Sequence, residues 1–174
     1  MKKIITIALI IIIAIVGIIT IVGNQEIIDN KYKIADGKIT IKVPSRYIKL
    51  GEEDGLNLYD EREEIYIKVG NLDDGFWSSD NLEDRMDQYI KLISSANYDA
   101  AVKNVQTEIL KQTDGKIGRV QVDLEKQTSD RRTITLITSS IEPDIIIEIR
   151  GTTDAIEENS EEIEEIISGI KIKK

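Results

Sequence analysis

Carboxylates are the main chemical resource of this chain, because histidine and cysteine are both absent. That removes every Ser-His and Cys-His couple, every thiolate metal site and every disulfide, together with the usual zinc ligands. Two acidic runs stand out: Glu52, Glu53 and Asp54, then Asp60, Glu61, Glu63 and Glu64. Clustered carboxylates suit a hard cation such as calcium, which takes about six to eight oxygens. Neither run has the D-x-[DN]-x-[DN]-G order with a distant Glu, so the spacing favours a solvated charged turn. The other candidate is Asp73-Asp74-Gly75-Phe76-Trp77, where the chain's single Phe and single Trp stand side by side. Adjacent aromatics on a polar loop can grip a glycan or a partner peptide. Their alternative is a staple, folded under the loop against the start of the next helix. Phe76 and Trp77 are the residues expected to touch a partner.

Catalysis would need a nucleophile with its base, or two carboxylates facing each other across a pocket. Ser45 is followed by Arg46 and Tyr47, Ser94-Ser95 closes a helical pattern, and no Ser-x-x-Lys opens a helix. No catalytic residue, metal ligand or cofactor is therefore assigned, and the chain is read as a non-enzyme.

Such residues must be carried by something, and the first segment says where. Residues 4–22 carry no charge and are interrupted only by Thr6, Gly17 and Thr20. At about 1.5 Å per residue this run makes a helix of roughly 28 Å, close to the hydrocarbon thickness of a bilayer. Lys2 and Lys3 precede it, and the next basic residue is Lys31. The positive-inside rule places the N-terminus in the cytoplasm and the rest outside. A cleaved signal peptide would have a shorter apolar core and a small-x-small site, whereas Ile21-Val22-Gly23 is bulky. The expected organisation is an anchor over 1–23, a spacer over 24–30 and one extracytoplasmic domain over 31–174.

The net charge is −9, and it is more negative still without Lys2 and Lys3. A domain this acidic has no electrostatic footprint for nucleic acid or anionic headgroups. Aromatics make up only 5%, and isoleucine, a β-branched residue suited to sheets, carries most of the apolar load.

The elements follow from periodicity. Residues 38–43, 56–59 and 64–69 alternate apolar with polar, which predicts half-buried strands; Asp60-Glu61-Arg62-Glu63 links the last two as a hairpin. Leu82, Met86, Tyr89, Ile90 and Ile93 share one helical face, with Asp80 as the expected N-cap and Glu83 as its capping-box partner. Strands are expected over 102–112, 120–124, 133–139 and 144–150. The consecutive Ile145, Ile146 and Ile147 mark the last of these as central, covered on both faces. A closing helix is expected from Asp154, with Ile156, Ile163, Ile166, Ile167 and Ile170 on one side. Glu157, Glu158, Glu161, Glu162, Glu164 and Glu165 line the other side, a face that is either wet or meets a basic partner. Gly169 is the expected C-terminal cap, followed by a basic tail over 171–174 with Lys171 at the negative end of the dipole. Together these give an α+β domain: a twisted antiparallel sheet flanked by two amphipathic helices and preceded by one N-terminal transmembrane helix.

The segment Gly37-Lys-Ile-Thr-Ile-Lys-Val-Pro-Ser-Arg-Tyr47, the helix from Leu82 and the closing helix with Ile163, Ile166 and Ile167 resemble the PsbP-like family. That family comprises the extrinsic subunit of photosystem II and its bacterial relatives, including the DcrB-type envelope proteins. The resemblance spans residues 31–173. It implies an antiparallel sheet between helices and an accessory, non-enzymatic role, and it carries over no functional residue. The expected function is a membrane-anchored extracytoplasmic accessory or binding module whose partner is a membrane-associated protein or an envelope component. The alternatives are a calcium-dependent or hydrolytic envelope protein using the acidic turns, and a secreted domain whose signal is removed.

Overall fold

The computed structural model describes residues 30–51, 55–71, 81–97, 99–111 and 115–173. The apolar run over 4–22, the acidic run over 52–54, the expected cap Asp80 and the loop carrying Phe76 and Trp77 lie outside the described residues. Among the described residues no helix is long and apolar enough to cross a membrane.

The chain opens with β1 (Asn30–Ile34), β2 (Ile39–Val43), β3 (Ile48–Lys49), β4 (Leu56–Asp60) and β5 (Ile65–Asn71). Then come α1 (Leu82–Ala96), β6 (Ala100–Lys111), β7 (Lys116–Lys126), β8 (Arg131–Ser139) and β9 (Ile145–Thr152). It closes with α2 (Thr153–Glu158), α3 (Ser160–Ser168) and β10 (Lys171–Ile172). The strands form two sheets rather than the single one expected: a seven-stranded sheet ordered β3-β4-β5-β9-β8-β7-β6 and a three-stranded sheet ordered β1-β2-β10. Every strand pair is antiparallel.

The large sheet divides the core in two. On one face Ile145, Ile147 and Ile149 of β9 pack with Ile65, Ile67 and Val69 of β5, with Ile39, Ile41 and Val43 of β2, and with Ile156, Ile163, Ile166 and Ile167 of the closing helices. On the other face Ile146, Val120, Val122, Leu124 and Leu136 pack against Leu82, Met86, Tyr89 and Ile93 of α1. The expectation for the isoleucine triplet holds, because β9 is the middle strand of seven and both its faces are covered. Each such isoleucine contributes about 1.5–3 kcal/mol by leaving water. Gly118 of β7 faces α1, and a Cβ there would sit 2.5 Å from Met86 Sδ and 3.1 Å from Leu82 Cγ. The missing side chain lets the helix lie close to the sheet.

Five local expectations are corrected. The side chain that caps the N-terminus of α1 belongs to Asn81, whose Oδ1 takes the Glu83 N–H at 2.9 Å. The closing helix is capped by Thr152, whose hydroxyl accepts from Ala155 N, so Asp154 is already inside it. That helix is interrupted at Asn159 and continues as α3. Gly169 is the C-cap but keeps right-handed helical angles, and the basic tail becomes β10, with Lys171 opposite Thr40 and Ile172 opposite Ile39. The tail satisfies the unpaired edge of β2, and that ladder outweighs a screened dipole interaction. The first strand also starts at Asn30, inside the expected spacer.

Candidate functional site

The second acidic run is a tight turn between β4 and β5, with Glu64 at φ 54°. Its carboxylates do not converge. Asp60 is 1% exposed, and its Oδ2 accepts from Nε of Arg46 while Oδ1 accepts from the Arg62 amide at 3.1 Å. Glu63 accepts from Asn159 Nδ2 at 3.2 Å. Arg46 reaches on to Glu162 Oε1 at 2.6 Å, and the Tyr47 hydroxyl donates to the same oxygen at 3.3 Å. The cluster therefore ties the segment after β2 and the end of β4 to α3. Burial, then the Glu162 charge, pushes the Tyr47 hydroxyl well above its ordinary range. Among the described residues no three carboxylates gather as metal ligands.

The glutamate face of the closing helix is not uniformly wet. Glu162 turns to Arg46, and Glu164 Oε1 meets Arg119 Nη1 of β7 at 2.5 Å.

The geometry brings together a different group. One row of directly paired residues crosses the whole large sheet: Ile48, Tyr59, Tyr66, Arg150, Ile134, Val122 and Val105. Opposed residues in antiparallel ladders share a face, and here it is the face that α1 packs on. The helix covers the row at Val122 and Ile134 and ends at Ala96. Beyond it lies an open groove of about 440 Å³, lined among others by Tyr59, Tyr66, Arg132, Arg150, Glu64 and Asn97.

Two stacked aromatic rings line the groove. Tyr59 and Tyr66 stack with ring centroids 4.3 Å apart and planes at 25°. The Arg150 guanidinium carbon lies 5.3 Å from the Tyr66 ring centre, within cation–π range. Partial burial raises the Tyr59 hydroxyl above its ordinary range, helped by the hydrogen bond with Tyr66. Arg132 stands diagonally across from Arg150 on β8, about 7–8 Å away in the ladder. Each arginine touches a carboxylate two residues before it in sequence: Arg132 Nε meets Asp130, just ahead of β8, at 3.1 Å, and Arg150 Nη1 meets Glu148 of β9 at 3.4 Å. Both remain open to solvent, with side chains 60% and 56% exposed. Tyr66 is thus held between Tyr59 and Arg150, and the groove combines two stacked tyrosines with two planar cations and has no nucleophile–base pair.

None of these four residues was singled out from the sequence. Tyr59 and Tyr66 occupy the outward register of strands whose inward residues are Leu56, Leu58, Ile65 and Ile67. Aromatics at two positions where alternation calls for small polar residues were the available signal. Tyr66 stays 37% exposed.

No family model and no curated protein matches this sequence. Among solved structures, the chain is similar to cyanobacterial PsbP (CyanoP) from Synechocystis sp., at 11% identity and a TM-score of 0.58, over 82% of this chain and 91% of that one. A Bacteroides thetaiotaomicron protein aligns at 13% identity with a TM-score of 0.39, over 85% of this chain and 50% of that one. The fold is PsbP-like, and at this identity the likeness concerns the fold alone.

Proposed function

We propose that this chain is a non-catalytic binding module tethered at the outer face of the cell membrane, with its N-terminus in the cytoplasm. The observation that carries the reading is a spacing. The uncharged apolar run ends at Val22, and β1 opens at Asn30. Residues 23–29 span at most about 25 Å when extended, so the domain works within a thin layer beside the bilayer. Confinement of that kind raises its effective concentration for membrane-bound partners. The absence of His and Cys from the whole sequence supports a non-catalytic role, and a PsbP-like fold is in keeping with it. The partner is a membrane-associated protein or an envelope component, and Phe76 and Trp77 supply part of the contact.

Fractionation of cells expressing the full chain tests the tether. The protein is expected in the membrane fraction after alkaline carbonate washing, full-sized, and digested by protease added to intact spheroplasts. A shortened protein in the medium would mean the apolar run is a removed signal. Protection from external protease would overturn the outward orientation. Crosslinking before solubilisation tests the partner: one membrane protein should be recovered in stoichiometric amount and lost when 24–174 is deleted.

A further inference from the structure

We infer that the outward face of the three-stranded sheet docks on the anionic lipid headgroups of the membrane that holds the chain. The inference deepens the tether proposed above and rests on it for its location. The experiment below separates the two.

The net charge of −9 speaks against such a surface, but the strand register sorts the charges. Lys31 of β1 lies opposite Lys42 of β2, Lys33 lies opposite Thr40, and Lys171 of β10 lies opposite Thr40 on its other side. Opposed residues share a face, so Lys31, Lys33, Lys42 and Lys171 stand together. Lys173, two residues beyond Lys171, continues the row, and its amide donates to Lys38 O at 2.8 Å. The other face of these strands carries Ile39, Ile41, Val43 and Ile172, all in the core. The lysine face is therefore turned to solvent, and Lys31, Lys33, Lys42, Lys171 and Lys173 are all exposed.

Among the described residues none of these lysines pairs with a carboxylate, whereas Lys38 beside them is held by Glu142 at 2.7 Å. Like charges directly opposite each other in a ladder are destabilising. The large sheet instead sets Lys68 opposite Glu148, Glu108 opposite Arg119 and Glu125 opposite Arg131. A cationic patch left uncompensated inside the protein is matched by an anion outside it.

The position of the patch names that anion. Lys31 is the second residue of β1, the strand that follows the apolar run ending at Val22. Residues 23–29 extend at most about 25 Å, so the tether delivers this sheet to the bilayer before any other part of the domain. Ammonium groups on flexible stems can settle on a plane of lipid phosphates as point charges. The rest of the chain is more negative than the whole and is repelled by the same surface, which fixes the side that faces down. The small sheet packs on one face of the large sheet and α1 on the other. Docking therefore turns α1, and the groove beside it, away from the membrane.

The test is lysine acylation of the full-length chain in lipid nanodiscs, with an uncharged reagent and a residue-by-residue readout by mass spectrometry. Discs of phosphatidylcholine are compared with discs rich in phosphatidylglycerol. Lys31, Lys33, Lys42, Lys171 and Lys173 should react at least about threefold more slowly in the anionic discs. Lys91 on α1 and Lys111 at the end of β6 should react alike in both. Salt at about 0.5 M should erase the difference, because exposed charges are screened. The combined change Lys31→Gln, Lys33→Gln and Lys42→Gln touches only exposed side chains and should leave the melting midpoint no lower, while Lys171 and Lys173 lose their protection. Equal reactivity of the sheet lysines in both kinds of disc would overturn the inference. So would equal protection of Lys91 and Lys111, or protection of Lys171 and Lys173 that survives the triple change. Soluble polyphosphate that protects the face as well over neutral discs would assign it to a free polyanion and overturn the docking. A chain that leaves neutral discs but stays on anionic ones would break the anchor and support the docking; a chain that leaves both would overturn both.

Discussion

Replacing Asp60 by Asn should cost about 2 kcal/mol of stability, and the reasoning comes from its two hydrogen bonds. The Asp60 carboxylate accepts from Arg46 on one oxygen and from the Arg62 amide on the other. Asn keeps one acceptor and places its NH2 where the second oxygen stood, so a donor meets a donor. A hydrogen bond to a charged group is worth about 1.5–3 kcal/mol, and stranding a buried partner costs more. Two features lower the figure. Arg46 keeps Glu162, and its side chain is 20% exposed. Ala, which keeps neither acceptor, should cost about 3 kcal/mol by the same count. At about 2–4 °C per kcal/mol for a domain of this size, Asp60→Asn should lower the melting midpoint by about 4–8 °C. The assay is denaturant unfolding with a double-mutant cycle through Arg46→Met, in which the two changes should couple by about 1–2 kcal/mol. An Asp60→Asn loss under about 0.5 kcal/mol, or a coupling indistinguishable from zero, would refute the claim that this cluster ties α3 to the sheet.

Three further outcomes follow from the same structure. Burial raises the hydroxyls of Tyr47 and Tyr89 above the ordinary 10.0; the unfolded chain then releases those protons first, so stability is intact below about pH 10 and falls above it, by up to about 2.7 kcal/mol per pH unit for two groups. Tyr89→Phe should flatten that alkaline slope by one proton in unfolding titrations; an unchanged slope refutes the assignment. Gly118→Val should cost about 1–3 kcal/mol in denaturant unfolding by pressing β7 against Met86 and Leu82, and a neutral result would mean that α1 has room to shift. Calcium at about 5 mM should leave the melting midpoint where a chelator leaves it, since Asp60 and Glu63 are engaged by Arg46 and Asn159; a rise of several degrees would restore the cation reading, because a ligand of the folded state must stabilise it.

Alternation made the strands legible. Ile39, Ile41 and Val43, and Ile65, Ile67 and Val69, lie on the inward face as their period-two spacing requires. The isoleucine triplet of β9 announced a strand covered on both sides. What remained hidden depended on distant partners. Nothing near Lys171 and Ile172 signals that they pair with Thr40 and Ile39, and without that pairing the second sheet cannot be inferred. The break at Asn159 was masked because Ile156 and Ile163 are separated by nearly two helical turns, so the apolar stripe runs on across it. The buried Arg85, 1% exposed with Nη2 donating to Ser139 O at 2.8 Å, sits where helical periodicity alone would be read as polar surface. The groove was hidden for the same reason as the second sheet: Tyr59, Tyr66, Arg132 and Arg150 come from four strands, and only the ladder aligns them.

The pairing of β10 with β2 also sets an order of events. Ribosomes deliver β1 and β2 early, but the strand that closes their sheet arrives roughly 130 residues later. Until then one edge of β2 offers open amides and carbonyls, and its inward Ile39, Ile41 and Val43 await α3, which is also made late. The hairpin synthesised first is thus among the last parts to lock. A chain passed through a membrane pore from its N-terminal side would hold that sticky edge exposed throughout transit, and its safe passage would depend on speed or on a chaperone.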